Sequence, residues 1–238
     1  METCGITKGK GYDNLGFKLK DLYNNLNNER RSMILESYLE ATLAYLNAKN
    51  DIDPDFFCKY SVDKGNRLAN LFWADSIARL DYSYFGYVLA FDSTYKTNEY
   101  EKPLVILLSI NNHYAISCFG CTILADEIVE IYTWVLETFL FAMNNKKPIS
   151  IITNGDRAMH KAIKKVVPEA WHRLCIWHLQ RNAQSAVHKT LEFVTRFKDF
   201  MLGNYKPKKF KQLWQNMVDE LGLQNNDWVK KIYSKRER

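Results

Sequence analysis

Three strand-like runs follow one another with polar turns between them: YVLAFDSTY (87–95), PLVILLSINN (103–112) and AISCFGCTIL (115–124). The alternation then changes period. DEIVEIYTWVLETFLFAMN (126–144) reads as a helix with acidic residues in its first turn, where the helix dipole favours them. PISIIT follows as a buried strand, DRAMHKAIKKVV as a helix, and HRLCIWHL as a strand that runs into helical sequence. The order is β-β-β-α-β-α-β-α.

That order predicts an α/β chain of the RNase H-like type, the core used by DDE transposases, with a mixed five-stranded sheet. Three antiparallel strands come first, and right-handed crossovers set the later strands parallel beside the first. The carboxyl ends of the first and fourth strands then lie side by side, the usual ligand position in an open α/β sheet. Asp92 and Asn154 fall there.

Upstream, residues 1–14 contain Gly and Lys without periodicity and are expected to be disordered. Leu35, Leu39, Leu43 and Leu46 follow a three-to-four residue period, so a helix is expected to end near NAKNDIDPD. FFCKYSVDKGNRLANLFWA carries a hairpin signal, and ADSIARLDYSYFG reads as a short helix stopped by Gly86. The expected organisation is a disordered 1–14, a helical and hairpin extension over 15–85, an RNase H-like core over 86–188 and a basic helical tail over 189–238.

Composition narrows the function classes. With 47% hydrophobic and 25% charged residues, 238 residues can bury an ordinary core. No run approaches the roughly eighteen apolar residues of a membrane span, and METCGITKGKGYDN lacks the apolar block of a secretory signal. Membrane insertion and secretion are not expected. Five scattered cysteines resemble no disulfide framework, so a reducing compartment is expected. The net charge of +6 sits in the tail: residues 189–238 hold 12 Lys+Arg against 6 Asp+Glu, and the rest balances. Such a tail suits a polyanion such as nucleic acid, with Lys206, Lys208, Lys209 and Lys211 as candidate contacts. A solvated helical face accounts for the same lysines equally well.

Phosphodiester cleavage on this fold uses two divalent ions about 4 Å apart. Such hard cations need two or three carboxylates. Asp92, at the end of an apolar strand, is well placed for one. Asn154 offers only a neutral amide oxygen, and Asp156 stands where the next helix wants an N-cap. Cys175 and His178, with His172 nearby, are zinc-ligand types. Strand alternation would send His172 and Cys175 to opposite faces, so packing is the expected role. Cys118 and Cys121 have redox-motif spacing but lie within a strand rather than at a helix amino terminus, and core packing is expected. FFCKYSV could stack on bases, although a core role fits better.

FGYVLAFDSTYKTNEYEKPLVILLSINNHYAISCFGCTILADE, IITNGDRAMHKAI and HRLCIWHL together resemble the Mutator-like element (MULE) transposase domain. More narrowly, with GFKLKDLYNNL, DPDFFCKYSVDKGNRLANLFWADSIARLDYSYFG and NDWVKKIYSKRER, the chain resembles the plant far-red impaired response / far-red elongated hypocotyl family, transcription regulators derived from such transposases. The resemblance implies an RNase H-like core, a nuclear location, DNA as partner, and homo- or hetero-oligomers with related members. It maps the first acid of the transposase site onto Asp92 and the second onto Asn154, where the metal-binding acid has been replaced. Asp156 is the candidate substitute.

The third acid should lie on a helix beyond HRLCIWHL, where this chain has KKFKQLW (208–214); Glu192 and Glu220 are the remaining candidates. Cys175 and His178 match the family's Cys-x-x-His phrase. Relatives also carry zinc modules, an amino-terminal DNA-binding one and a SWIM motif, whose Cys/His patterns are absent from this sequence, as expected of a fragment, a shortened paralogue or a mispredicted gene product. The leading expectation is a catalytically inactive regulator that requires no cofactor in this chain. The alternatives are an active transposase using magnesium or manganese, and a purely structural interaction domain.

Overall fold

Strand pairing explains most of the architecture of the computed structural model, which describes residues 41–94, 102–187 and 191–237. Helical residues 41–52 (α1) lead into a hairpin of β1 (Phe57–Val62) and β2 (Leu68–Ala74), then α2 (Ser76–Phe85). Next come β3 (Val88–Thr94), β4 (Leu104–Ile110), β5 (Ile116–Ile123), α3 (Val129–Ala142), β6 (Ser150–Thr153), α4 (Arg157–Val166) and β7 (Trp171–Leu174). Four helices close the chain: α5 (Ile176–Ala186), α6 (Leu191–Leu202), α7 (Pro207–Glu220) and α8 (Asp227–Ser234). The disorder expected over 1–14, and Leu35 and Leu39 of the first helix, lie outside the described residues.

The sheet order is β1-β2-β5-β4-β3-β6-β7. Its five strands from β5 to β7 reproduce the expected arrangement: β3, β4 and β5 pair antiparallel, and β6 and β7 run parallel beside β3. The sheet has seven strands rather than the expected five. The hairpin is not an appendage, because β2 pairs with β5 through Leu71, Phe72 and Trp73 against Ile123, Thr122 and Cys121. An uncovered β5 would present a row of unpaired backbone groups, and the hairpin satisfies part of it. The turn is set locally: Asp63 Oδ1 accepts from the backbone N–H of Gly65 and Arg67, and Asp63 Oδ2 accepts from Arg67 Nε at 2.9 Å.

Alternating residues Leu89 and Phe91, Val105 and Leu107, with Phe72, Phe119 and Ile151, form the buried face on which α2, α3 and α4 pack. At its centre Tyr82 is 1% exposed and meets Phe119 and Phe139 edge-on, with ring centroids 5.0 and 4.9 Å away. Its hydroxyl donates to the Lys146 carbonyl. A second core joins α5 to the three tail helices through Ala183, Phe193, Phe197, Trp214, Met217 and Val229. Among the described residues, no helix is long and apolar enough to cross a membrane.

The pairing of β4 with β5 is interrupted once. Leu107 faces Gly120 while Leu108 faces Cys118, so Phe119 is an extra residue bulged out of β5. Gly86 closes α2, and a Cβ there would come within 2.5 Å of the Tyr82 carbonyl and 2.6 Å of its ring. Gly86→Ala is therefore expected to destabilise the protein by about 1–3 kcal/mol through overpacking, read as a lower urea midpoint with unchanged slope.

Candidate functional site

The parallel register of β3 and β6 pairs Val88 with Ser150, Leu89 with Ile151 and Ala90 with Ile152. Continued by two residues, it sets Asp92 level with Asn154. The two expected site residues are thus brought together at the carboxyl ends of adjacent strands.

The turn after β6 uses its own polar groups. Asn154 Oδ1 accepts from the Asp156 N–H at 2.9 Å, an Asx turn. Thr153 Oγ1 accepts from the Gly155 N–H at 3.1 Å. Gly155 has φ +92°, a left-handed conformation that favours glycine. Asp156 is the N-cap of α4, its Oδ1 accepting from the Met159 N–H at 2.9 Å. The same carboxylate that could substitute as a ligand thus satisfies a helix amino terminus.

Asp92 Oδ2 lies 3.8 Å from His178 Nε2, beyond hydrogen-bond range. Asp92 Oδ1 and His178 Nδ1 are both buried without a hydrogen-bond partner among the described residues. His178 comes from the first turn of α5, and Cys175 is the N-cap residue of that helix. Strand alternation does not govern Cys175, because β7 ends at Leu174. His172 turns elsewhere: its Nε2 is 2.8 Å from Thr153 Oγ1 and its Nδ1 is 2.8 Å from His160 Nδ1, with the two rings stacked. His160 was not singled out by sequence reasoning. Its only signal was a place on the helix that follows Asn154.

Glu192 and Glu220, the candidates for a third acid, both pair with Arg196, at 2.9 and 2.5 Å. Among the described residues, no group of three or more His, Cys, Asp or Glu side chains is placed to hold a metal ion. Two divalent ions packed together require several anionic oxygens. One half-exposed aspartate, one amide and one capping carboxylate do not fit them.

The lysine cluster lies on α7. Lys206 is the N-cap residue without a side-chain cap bond, Pro207 opens the helix, and Lys208, Lys209 and Lys211 are exposed, while Trp214 is buried. In the hairpin, partly buried Phe57 packs against Phe72 and Phe141, but Tyr60 and Val62 are exposed, so the core role expected of FFCKYSV holds only at its first residues. Cys118 is exposed rather than packed in the core, a consequence of the bulge.

Residues 88–182 match the family described as the MULE transposase domain. Over 96% of its length the chain is similar to two Arabidopsis thaliana proteins, "Protein FAR1-RELATED SEQUENCE 5" (31% identity, 29% of that protein covered) and "Protein FAR-RED IMPAIRED RESPONSE 1" (30% identity, 28% covered). Among solved structures, the catalytic core domain of BIV integrase aligns with a TM-score of 0.27 and 8% identity over 56% of this chain and 97% of that one. At that score the fold assignment rests on the strand order itself. The chain carries a MULE transposase domain. Along nearly its whole length it is similar to these two far-red impaired response proteins, and it spans less than a third of their length.

If Asp156 serves α4 rather than a metal, Asp156→Ala should cost about 1 kcal/mol and Asp156→Asn much less, since both Asp and Asn cap well. Urea unfolding with and without manganese checks this. A stability gain with manganese in the parent that Asp156→Asn abolishes would assign the carboxylate to an ion instead.

Proposed function

We propose that this chain is a DNA-directed regulator of transcription in the nucleus, built on a transposase core whose catalytic site is degenerate. The observation that carries the reading is the state of the β6 turn. Asn154 contributes no charge, and its oxygen and that of Asp156 serve the backbone. Asp92 then stands as a remnant without the carboxylate partners that cleavage with magnesium or manganese requires.

Binding without cutting would fall to the tail. Lys208 and Lys209 occupy the first turn of α7, and each such cation opposes the helix dipole by roughly 0.3–1 kcal/mol. Their placement makes sense for an anion arriving from outside, because phosphate oxygens would meet both the ammonium groups and the uncapped N–H groups. Trp177 on α5 is exposed beside His178 and carries the Arg181 guanidinium 5.5 Å from its ring centre. It would offer a base a separate stacking platform. Cys175 and His178 would have no zinc role in this chain, and zinc would belong to other modules of full-length relatives. Related family members are the proposed oligomeric partners.

Two measurements test the proposal. The chain should bind duplex DNA with an affinity that falls steeply with salt, and leave supercoiled plasmid intact in manganese. Nicking that Asp92→Ala removes would favour the active transposase instead. The Lys208→Glu/Lys209→Glu variant should keep or slightly raise thermal stability, while the salt slope of DNA binding falls by about 1 for each phosphate no longer neutralised. DNA binding unchanged in that variant would remove α7 from the interface.

A further inference from the structure

The face of β5 that looks away from the main core holds a pair of thiols that the proposed function does not use. In a regular strand, residues three apart point to opposite faces. Cys118 and Cys121 escape this because Phe119 bulges: Cys118 faces Leu108 and Cys121 faces Ile106, so the two cysteines occupy the positions of next-but-one neighbours on one face. Their sulfurs lie 3.7 Å apart. Gly120 makes the bulge possible in this packing, since a Cβ there would already stand 3.0 Å from the Phe72 ring and 3.1 Å from the Trp73 carbonyl.

The two thiols are chemically unequal. Cys118 is exposed and Cys121 half-buried. The contact with the Cys121 thiol lowers Cys118 to about 6. Cys121 is pushed up by that same contact and then by burial. An exposed thiolate is the attacking form in disulfide exchange. A second thiol at contact distance is what a resolving step needs.

We propose that Cys118 and Cys121 form a thiol–disulfide exchange site that takes a low-molecular-weight disulfide such as glutathione disulfide, with Cys118 attacking and Cys121 resolving. In the first step the Cys118 thiolate attacks one glutathione sulfur. A Cys118–glutathione bond forms, the glutathione S–S bond breaks, and one glutathione leaves as thiolate. Cys121 then gives up its proton to a leaving thiolate and attacks Cys118 Sγ, expelling the second glutathione. The two cysteines are oxidised by two electrons, one glutathione disulfide is reduced to two thiols, and the protons of both cysteines end on them.

The product would be a strained bond. Positions opposite Ile106 and Leu108 lie about 6.6 Å apart along a strand, near the upper limit of about 6.8 Å that a disulfide spans. Closing the sulfurs from 3.7 Å draws the flanks of the bulge together against buried Phe119, so the bridge is expected to be readily reduced.

The test exposes the full chain to glutathione disulfide at neutral pH, followed by alkylation and peptide mass mapping. The parent should lose two hydrogens across Cys118–Cys121 and retain no glutathione, reversibly with dithiothreitol. Cys121→Ser should stop with one glutathione on Cys118, and Cys118→Ser should carry none at Cys121. Cys58, whose thiol burial pushes up, should react more slowly than Cys118. Circular dichroism confirms that each variant is folded. Glutathione retained on Cys118 in the parent would overturn the resolving role of Cys121. Reaction at Cys118 no faster than at Cys58 would overturn the site altogether.

Discussion

The parallel pairing of β3 with β6 is the constraint on which the site depends. It is made by short apolar segments, and its hydrogen bonds leave no freedom of register without turning a buried face toward solvent. Leu89 and Ile151, paired with each other, are both fully buried against the helices. Their position fixes that of Asp92 and Asn154, each three residues further on. The two positions are therefore held together by packing, whether or not anything binds there.

Scaffold and chemistry are separable at these positions. An Asp at position 154 could accept the Asp156 N–H as the amide does, so exchanging acid for amide leaves the turn intact and removes only charge. Asp156 gives stability to α4 in the same way. Glu192 and Glu220 both pair with Arg196 on the surface of the tail helices. Each of these carboxylates has an ordinary structural occupation, and only Asp92 keeps a buried carboxylate oxygen without a partner among the described residues.

The helical tail adds a second structural layer. Its aromatic core, with Phe197 edge-on to Trp214 and Trp228, anchors α6, α7 and α8 to α5 and so to the end of β7. The lysines of KKFKQLW are what remains outside once Trp214 is buried and Phe210 packs against it. A basic surface and an aromatic interior are two faces of one amphipathic helix, so neither the charge count nor the apolar pattern decides between binding and solvation by itself.

Periodicity in the sequence by itself determined the element order, the positions of Asp92 and Asn154 at adjoining strand ends and the capping role of Asp156, because each follows from local patterning and turn chemistry. Tertiary structure decided the rest. The hairpin joins the main sheet through pairing between residues about 50 positions apart in the chain, which no local window contains. His178 faces Asp92 only because β7 ends one residue before Cys175 and α5 turns the imidazole inward. Cys118 meets Cys121 only because Phe119 leaves the ladder, and that depends on how Gly120 fits against Phe72 and Trp73 of the neighbouring strand, which the CFGC run alone does not show.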